Sequence, residues 1–231
     1  MIPWLPPDTP RFPPTHTALK DPNGLLAAGG ALTPAWLLLA YRHGIFPWFD
    51  EEDVILWWSP APRMVLLPAR VHISRSLRKA MRKDAFEVRF DTAFKEVIGH
   101  CASLRKASGT WILPSMQQAY CTLHALGYAH SVEIWLAGEL VGGLYGVCIG
   151  GQFFGESMFS LHPNASKVAL VALARHAEAW GIQAIDCQMH TDHLASMGAE
   201  LYDRQAFEAM LKACDLDTKA DWRLRPELMH V

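Results

Sequence analysis

Around residues 73–83 the polar and apolar positions separate at helical spacing: Ile73, Leu77, Ala80 and Met81 share one face, while Arg75, Arg78, Lys79 and Arg82 recur at i, i+3, i+4, i+7 on another. The pattern predicts a helix from 74 to about 83 with one side in a core and the other strongly positive. A second helix is predicted over 34–43, where Thr33 can cap the start, Pro34 takes the first helical position and Gly44 stops it. A third covers 115–126. Downstream, apolar runs at 131–136, 140–149 and 152–159 are separated by the turn-forming Ala137-Gly138-Glu139 and Gly150-Gly151, which describes an antiparallel meander. Asn164 or Ser166 can then cap a helix reaching about 180, ended by Gly181; 182–188 reads as a short buried strand, followed by helical pieces near 193–197 and 204–214.

Strands followed by helix, strand and helix define an α+β chain. The first 62 residues differ in character, with a disproportionate share of Pro and Trp and one clear helix. Trp57-Trp58-Ser59-Pro60-Ala61-Pro62-Arg63 punctuates the chain, because two closely spaced prolines disfavour helix across that point. The expected division is a small N-terminal domain, 1–62, and a larger domain, 63–231. No internal repeat or low-complexity tract interrupts this organisation.

Composition narrows the functional classes. Of the 231 residues, 51% are hydrophobic and 19% charged, the balance of a folded globular protein. The formal net charge is only −2, so a nucleic-acid partner has to be held by a local basic patch. The helix bearing Arg75, Arg78, Lys79, Arg82 and Lys83 is the candidate; its alternative is an ordinary solvated face. Five scattered cysteines without a Cys-x-x-Cys pair argue against a disulfide framework or zinc ribbon and for reduced thiols in a cytosolic protein. The N-terminus lacks the basic and apolar regions of a secretory signal, so the mature chain is expected to begin here, and no apolar run is long enough to span a membrane. Cys187, His190 and His193 have a metal-like spacing, but on a strand-to-turn segment they need not converge and no second ligand group lies near, so no metal is expected.

Two polar positions stand out on the predicted strand 182–188. Asp186 and Gln188 are two residues apart and so project to the same side, forming a candidate acceptor pair; the competing reading is that they terminate the strand by capping backbone groups. Glu156, in a Gly-Glu-Ser segment at the end of an apolar strand, requires a cationic or donor partner because an unpaired buried carboxylate is costly. That partner is either an internal Arg or Lys or a group on a bound substrate.

Strings along nearly the whole chain resemble the leucyl/phenylalanyl-tRNA–protein transferase family: PNGLLAAGG at 22–30, YRHGIFPW at 41–48, WWSPAPR at 57–63, GTWI at 109–112, HSVE at 130–133, GESMFS at 155–160, ASK at 165–167, IDCQ at 185–188 and HLASMGA at 193–199. The resemblance implies a second domain with the fold of GCN5-related N-acetyltransferases (GNAT), reused to move Leu, Phe and, less efficiently, Met from aminoacyl-tRNA to the N-terminal Arg or Lys of acceptor proteins, marking them for N-end rule degradation. It implies that Asp186 and Gln188 orient the acceptor amine and take up its proton. Met158, Leu170, Ile185 and Leu144 are then candidate walls of a pocket for the donor side chain. Trp48, Trp111 and Phe153 are candidates for stacking on the terminal adenosine, since unpaired RNA bases are recognised by aromatic faces. For each of these apolar residues ordinary core packing is the alternative.

The expected reaction needs no cofactor, because the acyl group arrives activated as an ester. A free α-amine has a pKa of about 8, so roughly a quarter is neutral at pH 7.5, and positioning matters more than a strong base. An acetyl-CoA-dependent enzyme is the main rival. Such enzymes cradle pyrophosphate in a glycine-containing loop at a helix N-terminus, whereas the corresponding loop here, 160–166, contains no glycine. A non-catalytic tRNA-binding module is the third class, disfavoured by Asp186 and Gln188 beside an apolar pocket. A monomer is expected.

Overall fold

The computed structural model describes residues 2–105, 112–214, 218 and 220–229. Two sheets organise the chain. The smaller has the order β1 (Trp4–Leu5), β2 (Leu25–Gly29), β4 (Leu56–Trp58), β3 (Phe46–Pro47), with α1 (Pro34–Arg42) between β2 and β3. The larger has seven strands in the order β11-β5-β10-β9-β8-β7-β6, comprising β5 (Arg63–Leu66), β6 (Glu87–Phe90), β7 (Ala129–Leu136), β8 (Glu139–Ile149), β9 (Gln152–Ser160), β10 (Ala184–Gln188) and β11 (Glu200–Tyr202). The α+β class expected from the sequence is the class observed.

The predicted meander is β7-β8-β9, antiparallel throughout, with Ala137 and Gly138 in the left-handed turn region. Strand β10 joins β9 in parallel, a pairing that needs a crossover; α5 (Ala165–Ala179) supplies it. Ten of the α5 residues are buried, most of them Ala, Val or Leu, so the helix packs on the sheet with little polar surface to spare. Close approach is possible because β8 offers Gly142, where a Cβ would lie 2.4 Å from that of Ala165.

The other helices are α2 (Arg75–Lys83), α3 (Phe94–Arg105), α4 (Pro114–Ala125), α6 (Asp192–Ser196) and α7 (Arg204–Ala213). α1 and α2 start and stop within a residue of expectation. Ser74 caps α2 through a bond from the Leu77 N–H, whereas Thr33 occupies the α1 cap position without a side-chain bond. Asn164 precedes α5 in the left-handed region, also without a cap bond. α3 is not predicted by the pattern. Its start is held by a distant group: buried Glu133 accepts from the backbone N–H groups of Thr92 and Ala93, both at 2.9 Å.

The core has two large parts, one on each face of the seven-stranded sheet. α1, α3, α4 and the small sheet cover one face; α5 covers the other. Successive residues of β9 divide between them, Phe154 facing the first and Phe153 the second. Among the described residues no helix is long and apolar enough to cross a membrane.

Candidate functional site

Strands β9 and β10 exchange a parallel ladder only over Gln152–Phe154 and Ala184–Asp186. Beyond it they part, and a cavity of about 340 Å³ opens in the gap, lined by residues from 155–158 and 187–189 and by neighbours on both faces. Its apolar wall includes Leu144, Phe153, Met158, Leu170 and Ile185, and Trp48 stands in its lining. All of these are candidates from the sequence, and the splay brings them together. Phe153, however, has no exposed surface, which suits a wall for an apolar side chain better than a platform for an RNA base. Trp48, partly buried and edge-on to Trp58 at 5.2 Å, has the better placement for stacking. Trp111 lies outside the described residues.

Glu156 forms the polar end of the cavity and is almost wholly buried. Its partners are neither Arg nor Lys. Tyr41 of α1 donates to Oε1 at 2.7 Å, Tyr120 of α4 donates to Oε2 at 2.8 Å, and Gln188 Nε2 donates to Oε1 at 2.9 Å. The two tyrosine hydroxyls are also hydrogen-bonded to each other. Burial pushes the Glu156 carboxyl up to about 7, the donated bonds opposing the shift and the Asp186 charge adding to it. Burial and the Glu156 charge raise both tyrosines well above their usual range, so they remain hydroxyl donors. Neither tyrosine was flagged in the sequence; the only signal was the demand of a buried carboxylate for donors, and the contacts span 115 and 36 positions.

Asp186 and Gln188 do not form the side-by-side acceptor pair expected from alternation. The register of β10 against β5 shifts between them, and Gln188 has φ +63, so the two-residue periodicity breaks at that step. Asp186 is fully buried and turned to β5, where Arg63 grips it with two hydrogen bonds. Its Oδ1 also accepts from the Gln188 backbone N–H at 2.8 Å, so the strand-capping geometry is present as well. Gln188 reaches the cavity and presents its amide to Glu156. Arg63 sits between the rings of Phe46 and Phe207, each 4.8 Å from the guanidinium carbon. Asp186 thus fixes the backbone of Gln188, and the Gln188 side chain lines the cavity.

His193 and Cys187 also line the cavity. Burial pushes the Cys187 thiol up to about 12, which suppresses the thiolate, and lowers His193, with Lys167 adding to the effect. Among the described residues no three His, Cys, Asp or Glu side chains are placed to hold a metal ion. Arg75, Arg78, Lys79, Arg82 and Lys83 together line a shallow surface recess of their own on α2.

Comparison with known proteins places this chain in an enzyme family. The profile described as "Leucyl/phenylalanyl-tRNA protein transferase" matches residues 65–212, and that of the "Leucyl/phenylalanyl-tRNA protein transferase N-terminal domain" matches 30–61. The "Leucyl/phenylalanyl-tRNA--protein transferase" of Aromatoleum aromaticum is 62% identical over 212 residues, covering 91% of this chain and 89% of its own. That of Stutzerimonas stutzeri is 56% identical over 225 residues, covering 96% and 100%. Among solved structures, the "GCN5-related N-acetyltransferase from Kribbella flavida" is similar with a TM-score of 0.38 at 14% identity, over 74% of this chain and 61% of that one. The structure titled "The structure of L-PGS from Bacillus licheniformis" is similar with a TM-score of 0.40 at 11% identity, over 81% and 65%. These relationships define the chain as an acyl-transferring enzyme, an aminoacyltransferase. The chain belongs to the leucyl/phenylalanyl-tRNA–protein transferase family.

Proposed function

We propose that the cavity takes the side chain of Leu or Phe, and less efficiently Met, carried on aminoacyl-tRNA, and that the aminoacyl group is passed to the N-terminal Arg or Lys of an acceptor protein, marking it for N-end rule degradation in the cytoplasm. The observation that carries this reading is an apolar cavity wall beside a hydrogen-bonded polar pair: Leu144, Met158, Leu170 and Ile185 suit an apolar side chain unbranched at Cβ, and Gln188 with Glu156 in the same lining supplies polar groups for the ester and amine. The geometry favours positioning. A preorganised amide and carboxylate hold the amine against the carbonyl, replacing translational and rotational freedom that a bimolecular encounter would have to lose.

In this reading Gln188 contacts the amine directly and Asp186 acts through it, held by Arg63. Trp48 and Trp111 contact the terminal adenosine, Phe153 contributes to the side-chain wall, and Arg75, Arg78, Lys79, Arg82 and Lys83 hold phosphates of the tRNA body. The parallel β9-α5-β10 crossover and the splay beyond it support a GNAT-like domain from 63 onward; the reading takes 1–62 as a separate small domain and the active protein as a monomer. No cofactor takes part, since the donor ester supplies the acyl group already activated.

The donor panel tests it. With a peptide starting in Arg as acceptor, purified protein should transfer labelled Leu and Phe from their tRNAs, Met more slowly, and β-branched Val poorly. Acetylation of the peptide from acetyl-CoA, without transfer from any aminoacyl-tRNA, would overturn the proposal.

A further inference from the structure

The cluster around Glu156 has a hydrogen count that does not close when the carboxyl is ionised. Four contacts join its members: Tyr41 to Glu156, Tyr120 to Glu156, Gln188 to Glu156, and Tyr41 to Tyr120. Each tyrosine hydroxyl has one hydrogen, and the Gln188 amide places one on this carboxylate. Three hydrogens therefore serve four contacts, and with both hydroxyls donating to the carboxylate nothing lies between the two phenol oxygens. One added proton closes the set. Glu156 Oε2–H then donates to Tyr120, Tyr120 donates to Tyr41, Tyr41 donates to Glu156 Oε1, and Gln188 continues to donate to Oε1. Uptake and release of the proton then move hydrogens along these contacts, the one between the two phenol oxygens being bonded only in the protonated set.

We propose that Glu156 is the group that takes the proton from the acceptor amine, with Tyr41 and Tyr120 as positioning residues that make the cluster a one-proton store. This deepens the proposed function and rests on it. Gln188 cannot serve, because a carboxamide does not hold a proton near neutral pH. Asp186 is held from that role by its bidentate bond to Arg63 and its lack of exposed surface. Glu156 lines the cavity and keeps one unused lone-pair position on Oε2, since three of about four are occupied. A carboxyl raised to about 7 is matched to a proton exchanged near neutral pH. The ionisable groups around it are Tyr41 from α1, Tyr120 from α4, Tyr145 from β8, Asp186 from β10 with Arg63 from β5 behind it, and, in the same cavity lining, Cys187 from β10 and His193 from α6.

The step balances within the two substrates. The neutral amine nitrogen bonds to the ester carbonyl carbon, and one N–H proton moves to Glu156. The bond from that carbon to the ribose oxygen breaks, and the stored proton passes to the departing oxygen. The products are an amide and a tRNA hydroxyl, with Glu156 again ionised.

Two measurements test it. In single-turnover transfer from Leu-tRNA to an Arg-starting peptide, both saturating, the active form requires a neutral amine and an ionised Glu156. The logarithm of the rate should therefore fall toward a slope of two per pH unit in acid for the unaltered protein. E156Q should be slower by about a hundredfold or more, with a slope of one left by the amine. Y120F and Y41F, which remove a donor to the carboxylate, should move the Glu156 limb to higher pH while leaving the KM for Leu-tRNA unchanged. Infrared titration of the protein without substrate should show a protonated-carboxyl band with a midpoint near 7, absent in E156Q and shifted upward in Y120F. If the slope and band are the same in E156Q as in the unaltered protein, the inference falls while the transferase reading stands. If no aminoacyl transfer occurs at all, that reading falls, and the infrared band still decides whether the cluster stores a proton.

Discussion

Arg63 and Asp186 meet through two parallel hydrogen bonds, Nε to Oδ1 at 2.8 Å and Nη2 to Oδ2 at 2.7 Å, with both side chains buried. The pair joins β5 to β10 beside the backbone step that aims Gln188 into the cavity. Removing one partner leaves the other charge buried and unpaired, a loss of about 3–5 kcal/mol. Arg63→Ala should lower the unfolding free energy by that amount in urea titration. Arg63→Lys should restore only part of it, since an ammonium lacks the planar fork. A loss below about 1 kcal/mol for Arg63→Ala would show that the pair is not structural.

Neither Asp186 nor Gln188 is among the groups proposed to hold the RNA. Asp186→Ala and Gln188→Ala should therefore lower turnover by about tenfold or more while leaving aminoacyl-tRNA binding nearly unchanged. Binding measured by filter retention and turnover at saturating donor separate the two. Weakened RNA binding with normal turnover would refute these roles.

Stability should carry the signature of Glu156. Its carboxyl holds a proton to about pH 7 in the folded protein and to about 4.5 when unfolded, so between those values the folded form binds more protons and stability falls as pH rises. The contribution is complete below about pH 4.5, is lost as pH passes 7, and is on the order of 3 kcal/mol at 1.36 kcal/mol per unit. The difference in unfolding free energy between Glu156→Gln and the unaltered protein should change across this window. A difference constant from pH 5 to 8 would contradict the shifted carboxyl.

Local patterns carried much of this fold into the sequence. The meander, α1, α2 and α5 were legible because their periodicity and their turn or cap residues agree. β5 was not read, because Met64-Val65-Leu66 is a short apolar run directly after two prolines, and its status as a strand comes from pairing with β10, more than a hundred positions away. α3 was missed for a similar reason, its start being fixed by Glu133 from another strand. At the site, the apolar wall was legible residue by residue, as was the need of Glu156 for donors. Tyr41, Tyr120 and Arg63 were not, since nothing local marks which tyrosine or arginine will arrive. The alternation rule failed at Gln188, where a bulge and a left-handed φ re-aim the side chain.

The basic face of α2 makes a separate demand. If Arg75, Lys79 and Arg82 neutralise phosphates, changing all three to Ala should weaken full-length Leu-tRNA binding and reduce the slope of log K against log salt by about 2–3. An aminoacyl-adenosine donor, which lacks the tRNA body, should be used about as well as before. Equal loss with both donors would assign the helix to the fold or active site instead.

The choice of acceptor distinguishes this enzyme most sharply from its alternatives. Purified protein is incubated with labelled Leu-tRNA and peptides identical except for a first residue of Arg, Lys or Ala, and label in the peptide is followed with time. Transfer to the Arg and Lys peptides is expected, with none above background to the Ala peptide. Equal transfer to all three would contradict the proposed acceptor specificity, and no transfer to any would contradict the assignment of the cavity to aminoacyl transfer.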